Sequence, residues 1–396
     1  MTRKKVAIIG GGPAGLMAAD TLAPFFDVSV YDKEKTLGRK FLVAGKGGFN
    51  LTNSVQSAEL IDKYLPKGTL DTCLLGFDTQ ALQNWLLALN IPTYIGTSGR
   101  VFPEKGIKPI DVLNNIKQGV LAQGVQFYTE HTFTGFNAQH QPIIKHKEES
   151  FPIEADYCVF ALGGASWPVT GSNGIWREAF EAIGVITLPF QSSNCGVNVQ
   201  WPLHLQQYAG KPLKNIAISV NEKTIKGEAL ITEYGLEGNA IYPVIPAIRE
   251  ALNRDSQASL LIDLKPNNTI EELLQKTKGN TLKPKEYANV FNLSALQLAI
   301  LKAYTSKETY VNANSFVHSL KSISIPVVSL RPLEEAISTV GGIAFDQLNP
   351  DFSLKQYPNL FITGEMMDWD APTGGFLLQA CFSTAHYAAK SIIVKT

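Results

Sequence analysis

The stretch "KKVAIIGGGPAGLMAAD", residues 4–20, decides how the rest of the chain is read. Val6 to Ile9 form a short, branched, apolar run suited to a parallel strand buried on both faces. Gly10, Gly12 and Gly15 follow in the spacing G-x-G-x-x-G, with Pro13 and Ala14 opening a segment of helical composition that lasts until Pro24. A second strand, "DVSVY", leads to Asp32, about 20 residues beyond the glycines, where a ribose-binding acid belongs. Glu34 lies two residues further on and is the weaker candidate. A pyrophosphate must approach backbone N–H groups at a helix N-terminus, and a Cβ on the central glycine would block it. A turn that merely packs a helix on a strand needs no acid at the end of the next strand. The full order of strand, turn, helix, strand and acid points to a bound dinucleotide without saying which one.

Working outward, the chain does not continue as a plain series of strands and helices. It enters "GRKFLVAGKGGFNLTNS", residues 38–54, which is rich in glycine and small amides. Arg39 and Lys40 supply cations, whereas Asn50, Thr52 and Asn53 offer donors and acceptors alike. Such a loop suits a large polar cofactor lying extended across the domain, and an ordinary solvated loop is the alternative.

The length of 396 residues suggests two or three units, each with a core of its own. Apolar residues make up 45% and charged residues 18%, as expected of a globular chain. Lys+Arg 35 balances Asp+Glu 35, so no global charge favours nucleic acid or an anionic membrane as partner. Cys73, Cys158, Cys195 and Cys381 form no Cys-x-x-Cys pair, and free thiols in a reducing compartment are expected. The basic start is followed by an apolar run broken at Gly10 to Pro13, unlike a signal peptide, and no segment has the length of a spanning helix. A cytoplasmic protein without a membrane partner is the expectation.

From Pro189 to about Lys265 the pattern turns to short strands, "SNCGVNV", "NIAISV", "KTIKGEALIT" and "ASLLIDL". The helical segments "TIEELLQKT" and "SALQLAILKAY" follow, and then the strand "SIPVVSL". No second glycine fingerprint occurs there, which argues against two dinucleotide domains. The six histidines, His131, His140, His146, His204, His318 and His386, show no ligand spacing, so no metal is expected. Trp167 and Trp369 sit beside glycine segments, where packing is the commoner role and stacking on a substrate the alternative. Asp368 and Asp370 fit solvated or capping carboxylates better than proton carriers. No catalytic acid, base or nucleophile is singled out.

"GRKFLVAGKGGFNLTN" resembles the G-R-K…G-G-G-R-C-N-L-T-N signature of a bacterial FAD flavoprotein family, BaiN/RdsA-like or YhiN-like, which includes aminoacetone oxidases and a bile-acid reductase. "ADYCVFALGGASWPVTGSNGIWREAFEAIG" is similar to its second strand and glycine segment, "GEALITEYGLEGNAI" to its barrel motif, "AISTVGGIAFDQL" to the return to the nucleotide domain, and "LFITGEMMDWDAPTGGFLLQA" to its closing flavin motif. Gly48 and Phe49 stand where Arg and Cys are usual, and Leu377 where Asn is common. A catalytic thiol in that loop is therefore excluded, and no family substrate carries over.

The resemblance implies an α/β fold with a Rossmann-like, glutathione-reductase-like FAD-binding domain formed by residues 1–188 and 336–396. An inserted β-barrel-like domain would take 189–265 and 321–335, and a helical subdomain 266–320. Beside the fingerprint and Asp32, the implied FAD-binding set is Lys33, Gly38, Arg39, Lys40, Gly45, Asn50, Thr52, Asn53, Phe133, Ala161, Gly163, Gly164, Gly364, Glu365, Gly374, Gly375 and Phe376. "GVQFYTEHTFTGFN" fits the strand that passes the adenine in such folds, with Phe133 as the contact unless it is a core aromatic. Glu365 would accept from a ribityl hydroxyl, and the helix after Gly374 and Gly375 would face the flavin N1/O2 edge. The expected activity is that of an FAD-dependent oxidoreductase on a small molecule, with NAD(P)H as a transient donor or oxygen as acceptor and no nucleic acid. A flavin-dependent RNA-modifying enzyme and a non-catalytic redox sensor are the rivals.

Overall fold

The computed structural model describes residues 3–43, 48–96 and 98–396. The chain divides into two compact units, one running through Gln191 and resuming at Ser338–Thr396, the other spanning Ser192–Ile337.

At the centre of the first unit is β1 (Lys5–Ile9), whose apolar side chains are almost wholly buried. It is followed by α1 (Pro13–Leu22) and β2 (Asp27–Asp32), as the fingerprint requires. A parallel five-stranded sheet forms in the order Leu360–Ile362, Tyr157–Phe160, β1, β2, Gln126–Thr129. The C-terminal helix Phe376–Val394 packs against α1. The small side chains Ala18 and Ala19 on α1, with Ala385, Ala388 and Ala389 on the other helix, are all fully buried and let the two backbones approach closely.

Two local readings of the sequence change. "GVQFYTEHTFTGFN" is two strands, because Glu130 takes a left-handed backbone (φ 60) and breaks the extended run. Gln126–Thr129 stays in the parallel sheet, while Thr132–Phe136 joins an antiparallel sheet with Pro142–His146 and Glu149–Pro152. The amide-rich stretch is also more structured than a solvated loop. It contains the short helix α2 (Arg39–Val43) and the strand β3 (Thr52–Asn53), which pairs with β5 (Arg100–Pro103); β5 in turn pairs with β4 (Thr93–Ile95).

In the second unit seven strands form one antiparallel sheet. Ile323–Val327 pairs with Ala258–Asp263 at one edge, and after one intervening residue Ser329–Leu330 pairs with Val197–Asn198 at the other. A single extended segment thus serves both edges and curls the sheet back on itself, leaving little open edge to aggregate. The sheet and the helices between Ile270 and Lys321 bury their apolar faces in a common core.

One half-buried titratable group in the first unit gives a stability test. The His386 ring stacks on Phe77, 4.5 Å between centroids. Burial, aided by the nearby Lys390, pushes its pKa down to about 4. The unfolded chain binds a proton there near pH 6.5 that the folded chain refuses, so the stabilisation is complete above that pH and is lost as pH falls towards 4. Its size is up to about 3 kcal/mol. His386→Phe is expected to flatten the fall in urea midpoint between neutral pH and the folded-state value; an unchanged slope would mean that other groups carry it.

Candidate functional site

The carboxyl ends of the parallel strands open onto a cleft of about 480 Å³. Its floor is the turn from β1 into α1, where the first N–H groups of the helix lack intrahelical acceptors. The three fingerprint glycines are there for different reasons. A Cβ on Gly10 would lie 2.3 Å from the Ala161 carbonyl oxygen, and one on Gly15 would lie 1.9 Å from the Gly10 carbonyl oxygen. Both glycines are demanded by protein packing. A Cβ on Gly12 would meet nothing within 4 Å, and Gly12 has an extended backbone that any residue adopts. The protein itself therefore does not demand glycine at position 12, and the bare backbone leaves open room in the cleft of the kind a pyrophosphate needs.

Asp32 ends β2 at the cleft wall and accepts from the Gly11 N–H at 2.7 Å and the Glu34 N–H at 2.8 Å. Burial raises its pKa despite these two bonds, which act in the opposite direction. Each oxygen keeps acceptor capacity for a ribose hydroxyl. Further along, Arg39 pairs with Glu34, and Lys40 pairs with Glu365 at 2.8 Å. Among the described residues Lys33 is the lining Lys or Arg that holds no ion pair.

The expected binding residues fall into two groups. Gly10, Gly12, Pro13, Ala14, Asp32, Lys33, Gly38, Arg39, Lys40, Phe133, Ala161, Gly163, Gly364 and Glu365 line the cleft. Phe133 also packs on Phe136, Phe160 and Phe180, so it is a core aromatic as well as a lining residue. Gly15 and Gly164 stand behind the wall; a Cβ on Gly164 would strike the Thr339 hydroxyl at 2.3 Å. Gly45 lies outside the described residues.

Asn50, Thr52, Asn53, Gly374, Gly375 and Phe376 instead form a hydrogen-bonded knot at the start of the C-terminal helix. Asn53 donates to the Gly374 carbonyl at 3.1 Å, and the Thr52 hydroxyl donates to the Gln379 carboxamide oxygen at 2.5 Å. Asn50, with its carboxamide oriented to suit its neighbours, accepts from the Gly375 N–H and donates to the Gly48 carbonyl. Gly375 is fixed by the Thr52 backbone, 2.3 Å from where its Cβ would be, and takes φ 100.

Sequence reasoning missed the groups that join the two sets. Tyr64, wholly buried, donates to the Phe376 carbonyl at 2.7 Å. Its ring meets Trp369, whose indole N–H donates to the Gly364 carbonyl in the cleft wall at 2.8 Å. Nothing local marks Tyr64, which stands in an unremarkable "DKYLP". Trp369 is therefore a packing residue, whereas Trp167 is half-exposed with a left-handed backbone (φ 60, ψ 58). Cys381 also lines the cleft, and burial raises its pKa far above the usual thiol range, so it is held as an inert thiol.

A parallel sheet with a glycine turn, a carboxylate at the end of β2 and a cleft at the carboxyl ends of the strands defines a Rossmann-type dinucleotide-binding fold. Residues 4–391 match the model of the HI0933-like protein Rossmann domain, and the chain belongs to that family of FAD-dependent oxidoreductases. It is similar to a "3-dehydro-bile acid delta(4,6)-reductase" of Clostridium scindens, 21% identical, with 98% of each chain covered. It is also similar to a "ribosomal RNA dihydrouridine synthase" of Haemophilus influenzae, 23% identical, with 97% of each chain covered. Among solved structures, the 3-ketosteroid-delta4-(5alpha)-dehydrogenase of Rhodococcus jostii RHA1 shares the fold with a TM-score of 0.53 at 13% identity, covering 98% of this chain and 96% of that one. No helix among the described residues is long and apolar enough to cross a membrane.

Two outcomes follow from the glycine geometry and from Asp32. Gly12→Val is expected to abolish FAD binding while lowering the stability of FAD-free protein by only about 1 kcal/mol, the cost of a poorer helix N-cap, because its side chain enters open space. Gly15→Ala should lower stability further, with or without FAD. Flavin absorbance and thermal melting of stripped protein separate the two. For Asp32, only the ionised form accepts from hydroxyls through both oxygens, so bound ribose lowers the pKa that burial has raised. FAD affinity should then fall as pH drops through the raised value, with a limit of tenfold per pH unit. Asp32→Asn should flatten that dependence and cost about 1.5–3 kcal/mol at neutral pH. Fluorescence titration of stripped protein at several pH values reads both effects.

Proposed function

We propose that the protein reduces a carbon–carbon double bond conjugated to a carbonyl group in a small molecule, with a reduced nicotinamide nucleotide as transient electron donor. The observation that carries this reading is that two relatives matched from end to end have names describing the same bond change in unlike compounds. A 3-dehydro compound with a delta(4) double bond and a uracil ring both contain C=C–C=O. Bound FAD supplies reversible two-electron chemistry of the kind this change needs.

The residues of this chain supply binding and position. Gly12 leaves room for the pyrophosphate at the start of α1, and Asp32 receives the adenosine ribose. Lys40 and Glu365 close the far part of the cleft as an ion pair, Glu365 offering its free lone pairs to the ribityl hydroxyls. The knot around Asn53 and Gly374 holds the turn that borders the ring. Within this reading the cleft-lining members of the set named from the sequence hold the cofactor, and Asn50, Thr52, Asn53, Gly374, Gly375 and Phe376 act by fixing the turn beside it.

A small molecule is favoured over RNA by the charge of the cleft. Asp32, Glu34, Glu178 and Glu365 line it against Lys33, Arg39 and Lys40, and two of those three cations are already paired. That is no electrostatic track for a polyanion. The names of the RNA-acting relatives keep the second reading alive as an arm of the test.

Protein reduced anaerobically with NADH or NADPH, or with dithionite where neither serves, is mixed with 2-cyclohexen-1-one, a 3-oxo-delta(4) steroid, or a uridine-containing RNA helix. Return of the oxidised flavin spectrum with an enone, and a product two mass units heavier, is the expected result. Reoxidation by the RNA helix alone would establish the second reading. Reoxidation by oxygen alone would overturn both.

A further inference from the structure

Beside the 374–376 turn lies a cation that neither the fingerprint nor the cleft uses. β3 and β5 pair so that Asn53 faces Arg100, which puts both side chains on one face of the small sheet. The Arg100 Nε is 3.7 Å, and the Asn53 Nδ2 3.8 Å, from the point where a Gly374 side chain would begin. Two residues along, on the same face, Phe102 stacks on Tyr94 with 5.7 Å between centroids. Among the described residues Arg100 takes part in no ion pair and donates to no acceptor, although it is half-buried. A guanidinium in that position has five donors in a planar fork, and no acceptor among the described residues receives them. The Asn53 amide gives one of its two N–H groups to the Gly374 carbonyl and carries no charge, so it is the weaker donor.

We propose that Arg100 is the specificity-determining residue that receives the carbonyl or carboxylate oxygen of a planar substrate, the Tyr94 and Phe102 rings flanking the apolar part. The proposal rests on the reading above, which puts the flavin ring against the 374–376 turn. In the reduction of C=C–C=O, hydride adds to the β-carbon, the π electrons move to the carbonyl oxygen, and a proton from water then joins the α-carbon. The reduced flavin is the reductant and is oxidised by two electrons. Negative charge develops on the oxygen, where two guanidinium N–H groups hold it more strongly than a neutral donor would.

The probes are benzoate, a planar anion, and benzamide, its neutral counterpart, each titrated into FAD-loaded protein and followed by the flavin difference spectrum. Wild type is expected to bind benzoate better than benzamide. Arg100→Met should weaken benzoate by about tenfold or more, the loss typical of a charge-assisted hydrogen bond. Benzamide should change far less, and Arg100→Lys should restore part of the benzoate affinity. Equal benzoate affinity in wild type and Arg100→Met, or no response of wild type to benzoate, overturns the proposal. So does a shift of the two-electron potential in Arg100→Met with benzoate binding unchanged, because the guanidinium would then serve the flavin itself. Flavin absorbance of each variant confirms loading. Reoxidation of wild type by enones is scored separately, so a failure of the reductase reading is distinguishable from a failure of Arg100 to bind the anion.

Discussion

The carbonyl oxygen of Ala161 occupies the place where a side chain on Gly10 would stand, 2.3 Å from its Cβ position. That one approach sets the geometry of the cleft. It brings the end of the strand Tyr157–Phe160 against the turn leaving β1, while the Gly10 carbonyl in turn excludes a side chain at Gly15 and fixes where α1 begins. The two strand ends and the helix N-terminus then open on the same side of the sheet, so the N–H groups of α1 point into a space bordered by Asp32 on one side and Gly163 on the other. Any side chain at either glycine would separate these elements before a ligand were involved.

The second requirement is that the long return segment after Leu360–Ile362 be held at defined points, since it has little regular structure between Gly364 and the C-terminal helix. Three donors hold its carbonyls: Trp369 that of Gly364, Asn53 that of Gly374, and Tyr64 that of Phe376. Two of those donors come from residues more than 300 positions earlier in the chain. Buried carbonyls without such partners would each cost about 1–3 kcal/mol. The early amide-rich stretch thus does two jobs: Arg39 and Lys40 face the cleft, and Asn50 to Asn53 fasten the wall behind it.

This division explains what the sequence could and could not show. β1, α1, β2 and the C-terminal helix were legible because each joins an unbroken local pattern to glycines whose spacing has a steric cause. The curled sheet was legible as a run of short strands, but not the fact that Ile323–Leu330 pairs at both edges, which depends on register between distant segments. Glu130 looked like a strand residue because its left-handed backbone leaves no mark in composition. Asn50, Thr52 and Asn53 were legible as polar and close to the site. Whether such groups face a ligand or a carbonyl is decided by what the fold lays against them, here the turn at Gly374 and Gly375. Arg100 stood unnoticed in "GRVFP" for the same reason, because its significance lies in its register with Asn53.

The charges of the cleft impose a last constraint. In the proposed reading FAD would bring a doubly charged pyrophosphate into a cavity where acids already outnumber Lys and Arg by four to three. The helix N-terminus offsets part of that charge through its free N–H groups, and Lys33 can offset more because it holds no other partner among the described residues. Lys40 is less available. Withdrawing it from Glu365 would leave a carboxylate that is only 13% exposed without its counter-ion, a cost comparable to what the phosphate contact would return. The arrangement therefore favours a cofactor whose phosphates stay at the α1 end and whose hydroxyl-bearing, uncharged part passes the Lys40–Glu365 pair. The ribityl chain of FAD between its phosphates and its ring meets that description.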